Sequence, residues 1–562
     1  MEDGLYDKLV VLNSVYHNTL QPSNIITPYT LTPSVIKTQL YPHQTTMVNG
    51  MHNYRDKMIH GFLVENQAIN GKIGIIGDYA GTGKTLCVLT YLASHVMFPR
   101  MTCELTNHSS KYFFSHELYK LSNNSSNLII VPHSLFHQWS QEIGKHTTMS
   151  YVAIETKRCL KDSTVAKNII NSNFVLTTNK CYKFVQEYAN QYNIEWNNIF
   201  IDEASSIYFN SSDPPLKFQF IWFITNNWIP LIFKNPSISK SSLYYLKNRI
   251  EMHPELEKWL LENMSYHYDG VLTSYSFLKE YLPVHHENRG LIVLRNPCDI
   301  HSIHIPPVIN EVIQCQPNIS FNSLISYYLS RNMEPRITSN NILQLFQALD
   351  IECIDIEHYI NRQPKKCDMI HRKYKENECA ICLETCEYTT IVNCCYSVYC
   401  GKCLLNNMLI NYKCPLCRTQ LSINTISCLT PVDTLFRNKI DVCLDILNNN
   451  KNGKFIIYSS FNNIFYKLFE EIDKLGLKAE RIDNGLFSLI KIVKNYNKGD
   501  TNVIFISNIE VIRGLSLEST SHLIFYHEQP VYELKQILIH SGQRIGRQKA
   551  LKIIHLNSEI QF

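Results

Sequence analysis

Short apolar runs spaced by helix-length segments constrain this 562-residue chain more than any other feature. In the first half they are GKIGIIGDY (71–79), NLIIVPHS (127–134), NFVLTT (173–178) and NIFIDEA (198–204). In the second half they are KFIIYSS (454–460), TNVIFIS (501–507), SHLIFYH (521–527) and LKIIHL (551–556). Strands that are apolar on both faces and alternate with helices belong in parallel sheets covered on both sides. An α/β fold with two parallel-sheet lobes is therefore expected. Residues 1–38, polar with prolines and without a clear period, read as a lead-in. The first lobe is expected over 39–310, a helical insertion or linker over 311–375, a cysteine-rich module over 376–421 and the second lobe over 430–562. Helical patterns near 241–263 and 341–361 fall around that linker.

A hydrophobic fraction of 45% and a charged fraction of 18% suit a globular protein with real cores. The formal charge of +4 is too small to argue for nucleic acid on its own, so any such contact depends on where Lys and Arg are placed. The start MEDGLYDKLVVLNS carries early acids and no apolar run of signal length, so secretion is not expected. No uncharged apolar stretch of about 18 residues appears, and no membrane partner is expected.

The first chemical signal is Asp78-Tyr79-Ala80-Gly81-Thr82-Gly83-Lys84-Thr85, placed after an apolar strand and before a helical run. Glycines let backbone amides approach phosphate oxygens, and a helix N-terminus favours negative charge. Lys84 is suited to neutralise the β- and γ-phosphates of ATP, and the Thr85 hydroxyl to complete a Mg²⁺ shell. Asp78 stands where the strict phosphate-loop pattern has its first glycine. A glycine-rich turn would look alike in isolation. A second signal, the apolar strand ending in Asp202-Glu203, fits the other half of an ATPase site. Asp202 is suited to hold Mg²⁺ through water and Glu203 to polarise the attacking water.

These residues resemble the motifs of SWI/SNF-type members of helicase superfamily 2. DYAGTGKT (78–85) is similar to the DExGxGKT form of motif I, and Leu40-Tyr41-Pro42-His43-Gln44 to the LxPxQ element whose glutamine reads adenine. LIIVPHSLFHQWSQEI (128–143) resembles motif Ia, including Trp139 and Glu142. IDEAS (201–205) resembles motif II, and residues 291–313 the segment that closes the first lobe, with Asn296 replacing the second arginine. KFIIYSSF, residues 503–526 and GQRIGRQKALKIIHL (542–556) resemble motifs IV, V and VI. The resemblance implies two RecA-like lobes that bind ATP through Gln44 and residues 78–85. Lys84, Thr85, Asp202, Glu203 and Arg544 would be catalytic, with Arg547 as possible partner of Arg544. Two departures stand out: WFITNNW (222–228) keeps only Thr225 of the usual TxTP, and Ser541 falls where motif VI carries its first arginine.

Nine of the nineteen cysteines lie between Cys379 and Cys417, and CxxC pairs in a chain without a signal peptide read as metal ligands. Their order resembles a RING finger, in which pairs interleave. That resemblance implies one Zn²⁺ on Cys379, Cys382, Cys400 and Cys403. A second would sit on Cys395, Cys414 and Cys417 with one more ligand. The usual RING histidine falls on Ser397, so Cys394 is the substitute, with Cys386 as a less favoured spare. A RING with an apolar face at Ile381, Pro415 and Leu416 would recruit a ubiquitin-conjugating enzyme; a structural zinc clip or docking surface fits the same cysteines.

The implied activity is ATP hydrolysis driving translocation on nucleic acid, with duplex DNA favoured over single-stranded DNA or RNA. Two other readings stay open. One is a RING ubiquitin ligase or adaptor that uses catalytically weak ATPase lobes as a nucleic-acid platform; the other is an RNA-directed or transcription-coupled ATPase. A RING within the motor resembles the subgroup of helicase-like transcription factor, and the CCxxxxC variant resembles helicase-like proteins of large DNA viruses. An intracellular location follows, nuclear or in host cytoplasm and virion.

Overall fold

A computed structural model describes residues 2–21, 33–60, 62–64, 67–69, 72–94, 125–161, 164–207, 218–232, 251–263, 287–297, 305–316, 337, 341–430, 436–482, 486–529 and 532–558. The expected helical pattern at 241–250 and part of the lobe-closing segment, 298–304, lie outside them.

The first lobe is a seven-stranded parallel sheet in the order 151–154, 174–178, 125–131, 195–202, 218–224, 73–76, 293–294. Ile73–Ile76 and Phe174–Thr178 are buried at every position, as a sheet covered on both faces requires. Helices Pro42–His60, Lys84–Ala93, Phe136–His146 and Tyr182–Gln191 cover it. The amino-terminal segment is not the aperiodic lead-in expected. Glu2–His17 is a helix, and its Leu9, Leu12, Val15 and Tyr16 join the first-lobe core. Their spacing of three and four residues is the apolar stripe of a helix.

The second lobe is a six-stranded parallel sheet in the order 308–314, 551–557, 522–525, 455–458, 503–506, 479–482. Its outermost strand, Val308–Gln314, precedes the cysteine-rich module and pairs with the last strand from Val308↔Leu551 to Gln314↔Asn557. The expected boundary at residue 310 thus falls inside a second-lobe strand. VINEVIQ is a largely exposed edge strand, so its sequence lacks the apolar run that marks its neighbours.

The cysteine-rich module is larger than residues 376–421. Strands Glu352–Ile354 and Ile426–Leu429 pair in parallel, carrying the chain in and out, and Thr389–Val392 and Val398–Cys400 complete a four-stranded sheet. Helix Ile342–Ala348 packs Ile342, Leu345 and Phe346 into the same core as Tyr399, Leu404 and Cys428. A Cβ on Gly401 would lie 2.7 Å from the Phe346 ring, which fixes how closely that helix docks.

The two lobes meet directly. Ile512 and Leu515 of the second lobe lie in one buried cluster with Leu135 and Phe136 of the first.

Candidate active site

At the carboxyl end of Ile73–Ile76 the chain turns through residues 77–83 into helix Lys84–Ala93. Gly81 and Gly83 both have φ of 81°, a left-handed conformation that glycine adopts without strain. A Cβ on Gly83 would lie 2.3 Å from Gln44 Nε2, and one on Gly81 would lie 2.9 Å from the carbonyl oxygen of Gln543 in the second lobe. Lys84 Nζ donates to the carbonyls of Asp78 at 2.9 Å and Tyr79 at 2.8 Å, so the loop closes around its own lysine. Burial pushes the Lys84 pKa down, against the opposing pull of Glu203, Asp78 and Asp202.

Strand Glu195–Asp202, one strand removed from Ile73–Ile76 in the sheet, ends on Asp202 and is followed at once by Glu203. Trp139 Nε1 donates to Asp202 Oδ2 at 2.7 Å, and the Glu203 amide donates to Asp202 Oδ1 at 3.0 Å. Burial and then the Glu203 charge raise the Asp202 pKa to about 6, with the Trp139 hydrogen bond and Lys84 acting the other way. Glu203 itself sits at φ 48°, ψ 45°, which swings its carboxylate out of the strand line. Thr225, retained from the degraded motif III, accepts from the Asn227 amide at 3.0 Å, and its hydroxyl lies 3.3 Å from that of Ser205.

A cavity between the lobes brings these groups together. First-lobe residues on its wall include Ala80, Gly81, Gly83, Lys84, Thr85, Asp202 and Glu203. The second lobe contributes Arg513, Gly514, Leu515, His540, Ser541 and Arg544. Arg544 donates to the carbonyls of Gly514 at 3.0 Å and Leu515 at 2.7 Å, while its buried Nε meets no hydrogen-bond partner. Gly514, at φ 76°, makes the approach possible: a Cβ there would lie 2.6 Å from Leu135 and 3.3 Å from Glu203 Oε1. Thr85 and Asp202 line one cavity, and their side-chain oxygens are of the type that suits Mg²⁺.

Several residues expected to bind nucleotide are bonded within and around the phosphate loop. Asp78, Tyr79, Thr82 and Gln44 are absent from the cavity wall. Asp78 is buried and accepts from Asn296 twice, from the amide at 2.6 Å and from Nδ2 at 2.7 Å. The acid in the first glycine position and the asparagine in the second arginine position are therefore partners. The Tyr79 hydroxyl donates to Glu255, and Arg295 donates to both Tyr79 at 2.7 Å and Glu255 at 3.1 Å. Gln44 Nε2 donates to Thr82 O at 3.1 Å and its Oε1 accepts from the Tyr41 amide at 3.0 Å, so its carboxamide is bonded to backbone on both sides. Arg547 donates to the carbonyls of Lys549, Gly542 and Ala550, which ties it to second-lobe backbone away from the cavity. Gln138, Asn226, Arg513, Gly514 and His540 were missed as site residues. Of these, Gln138, Asn226, Arg513 and Gly514 fall within the motif-like stretches 128–143, 222–228 and 503–526, whereas His540 carried no signal.

In the module, cysteine sulfurs form two groups whose atoms all lie within 4.8 Å of one another: Cys379, Cys382, Cys400, Cys403 and Cys394, Cys395, Cys414, Cys417. Cys394 thus joins the second group, its sulfur 3.3 Å from that of Cys417, and Cys386 belongs to neither. Four thiolates in a compact set suit tetrahedral Zn²⁺. Amides of Ile381 and Cys400 point at Cys379 Sγ at 3.4 and 3.2 Å, the hydrogen bonds that stabilise a ligating thiolate. Ser397 is no ligand; its Oγ lies 3.2 Å from Cys395 Sγ and accepts from Lys373 Nζ at 3.0 Å.

Comparison with known proteins bears on the first lobe most directly. Residues 43–221 match the SNF2-related domain. That span holds the phosphate loop, Trp139 and the Asp202-Glu203 pair. A protein of Acanthamoeba polyphaga mimivirus named as a helicase is 28% identical over 251 residues, which cover 40% of this chain and 30% of that one. The chain therefore matches under a third of its relative's length. Among solved structures, the Sulfolobus solfataricus SWI2/SNF2 ATPase core in complex with dsDNA is 15% identical. It covers 94% of this chain and 89% of its own, with a TM-score of 0.30. The Pyrococcus furiosus Hef helicase domain is 11% identical, covering 86% and 92%, with a TM-score of 0.36. No described helix is long and apolar enough to cross a membrane.

Proposed function

We propose that the chain is an ATP-driven, helicase-like motor that moves along duplex DNA. The observation that carries this is the inter-lobe cavity, where Lys84, Asp202 and Glu203 from one lobe share a wall with Arg544 from the other. A site split between lobes is completed only when they close, so nucleotide binding and release become lobe movement. Lys84 would bind the β- and γ-phosphates. Glu203 would orient the attacking water, and Arg544, docked against Gly81, would stabilise charge on the transferred phosphoryl group. Mg²⁺ held near Thr85 and Asp202 would supply charge neutralisation between the phosphates. The match of residues 43–221 and the helicase-named relative support a nucleic-acid track; the SWI/SNF-type motif series favours duplex DNA.

The test is the ATPase rate of wild type and Lys84→Ala with no nucleic acid, duplex DNA, single-stranded DNA and RNA. Stimulation by duplex DNA that vanishes in the variant is expected. Stimulation by RNA alone would transfer the proposal to an RNA-directed ATPase, and no hydrolysis with any polymer would sink the motor reading.

A second reading concerns the module. Two interleaved tetracysteine groups, with Ile381 40% and Leu416 60% exposed beside them, fit a RING that docks a ubiquitin-conjugating enzyme. Autoubiquitination lost in Cys379→Ala and kept in Lys84→Ala supports it; no transfer with a panel of conjugating enzymes removes it and leaves a structural zinc module.

A further inference from the structure

The second-lobe wall of the cavity holds two ionisable residues that the ATPase reading above does not use, Arg513, which is paired with Glu510, and His540. His540 lies near the end of helix Tyr532–Gly542 and lines the cavity with Ser541 and Arg544. Its Nδ1 is buried and meets no hydrogen-bond partner. A buried polar nitrogen left this way is unfavourable, so its placement calls for a ligand that completes it. Burial, with the Arg544 and Lys84 charges beside it, holds the imidazole pKa down to about 4. The neutral ring still carries one N–H, and a phosphate oxygen between those two cations would accept from it at Nδ1.

Ser541 cannot supply what its position usually offers. Its side chain is buried and its Oγ turns back to donate to Leu538 O at 2.7 Å. The second lobe therefore presents Arg544 and, one residue before Ser541, an imidazole with an open nitrogen.

We propose that His540 is a phosphate-binding residue of the ATP site, donating a hydrogen bond to an oxygen of the terminal phosphate beside Arg544. The inference rests on the ATPase reading. It would give the site a means of telling triphosphate from diphosphate, because His540 and Arg544 line the same cavity as Lys84 and would meet a phosphate beyond those that Lys84 binds.

The experiment measures calorimetric affinity of the full zinc-loaded chain for the β,γ-imido analogue of ATP and for ADP, both with Mg²⁺. Wild type, His540→Ala, His540→Asn, His540→Gln and Lys84→Ala are compared, with thermal melting as the check on folding. His540→Ala is expected to weaken the triphosphate analogue about tenfold and ADP less than about twofold, the loss of one hydrogen bond to a charged group. His540→Gln, which keeps a donor at similar reach, recovers most of the difference. Should the alanine variant fail to fold, the shorter asparagine carries the same comparison. Wild-type affinity for both nucleotides in a folded variant overturns the assignment, as does an equal loss for both. A wild-type chain that binds neither nucleotide overturns the ATPase reading together with this assignment; normal wild-type binding, abolished in Lys84→Ala and indifferent to His540, overturns this assignment alone.

Discussion

The indole Nε1 of Trp139 donates to Asp202 Oδ2 at 2.7 Å, tying the helix that follows strand Ser125–Val131 to the carboxylate expected to serve Mg²⁺. Trp139 is fully enclosed in the first-lobe core, so it cannot swing away. Trp139→Phe keeps the ring and removes the donor. A hydrogen bond to a charged group is worth about 1.5–3 kcal/mol, so a fall of roughly tenfold in kcat/KM is expected, together with a rise in the Mg²⁺ concentration for half-maximal rate. A magnesium titration of ATPase activity checks it; an unchanged half-point means the indole does not aim the carboxylate.

Arg544 and Arg547 are three residues apart but do unlike jobs. Both donate to carbonyls of their own lobe, but Arg544 lines the cavity and Arg547 does not. Arg544→Ala should lower kcat at least about 100-fold with little change in melting temperature, in line with the cost of losing an arginine finger. Arg547→Ala should lower the melting temperature and leave kcat within about threefold. Steady-state kinetics and calorimetric melting separate the two, and the reverse pattern would reassign the finger.

Asp78 and Asn296 should behave as a coupled pair. Asn296→Ala removes the 2.7 Å side-chain donor from a buried carboxylate and should destabilise the first lobe by about 2 kcal/mol. Asp78→Asn in the same background removes the charge left without its partner and should recover part of the loss. A double-mutant cycle by urea denaturation measures the coupling, and strict additivity would show that the two side chains do not act together.

Stability should fall on acidification. Burial, followed by Arg55, lowers the His52 pKa to about 3; burial, followed by Lys552 and Arg547, lowers that of His522 to about 4. Both rings stay neutral in the folded chain at a pH where an unfolded histidine takes up a proton. The unfolded state therefore binds more protons below about pH 6.5, and stability declines until the pH has passed below the folded values. At pH 5 the loss is about 2 kcal/mol per histidine. Urea denaturation at pH 7.5 and pH 5 tests this, and His52→Phe should flatten the first-lobe response; an unaltered pH slope would remove His52 as its cause.

Metal content should be close to two zinc ions per chain, one for each tetracysteine group. Cys379→Ser and Cys394→Ser should each bring it to about one. Lys373 donates to the carbonyl of Cys395 at 3.2 Å and to Ser397 at 3.0 Å, placing an ammonium beside the second group. Lys373→Met should release zinc to a chelator several-fold faster from that group alone. Retention of both ions in Cys394→Ser would exclude Cys394 as the fourth ligand.

Much of this was open to reading along the chain because strand, loop and helix are adjacent in sequence. DYAGTGKT is one continuous stretch, and its Gly83 takes a left-handed conformation directly before the helix that Lys84 begins. The Asp202-Glu203 pair ends a strand whose apolar run marks it, and the cysteine spacing of 379–403 and 394–417 foretold the two sulfur groups. Amphipathic Glu2–His17 is also legible in the spacing of Leu9, Leu12 and Tyr16, although the proline-rich stretch that follows masks its period.

What the sequence by itself determined is the local chemistry: which residues can cradle phosphate, carry an acid pair or hold a metal, since each depends on neighbours within a few positions. The tertiary structure alone decided which of them face the cavity. Asn296 finds Asp78 across 218 residues, Gln44 turns its carboxamide to Thr82, and edge strand Val308–Gln314 joins a sheet completed by the last strand of the chain. Those outcomes come from packing and hydrogen-bond satisfaction between segments distant in sequence, where a buried polar group takes whichever partner the fold brings within about 3 Å.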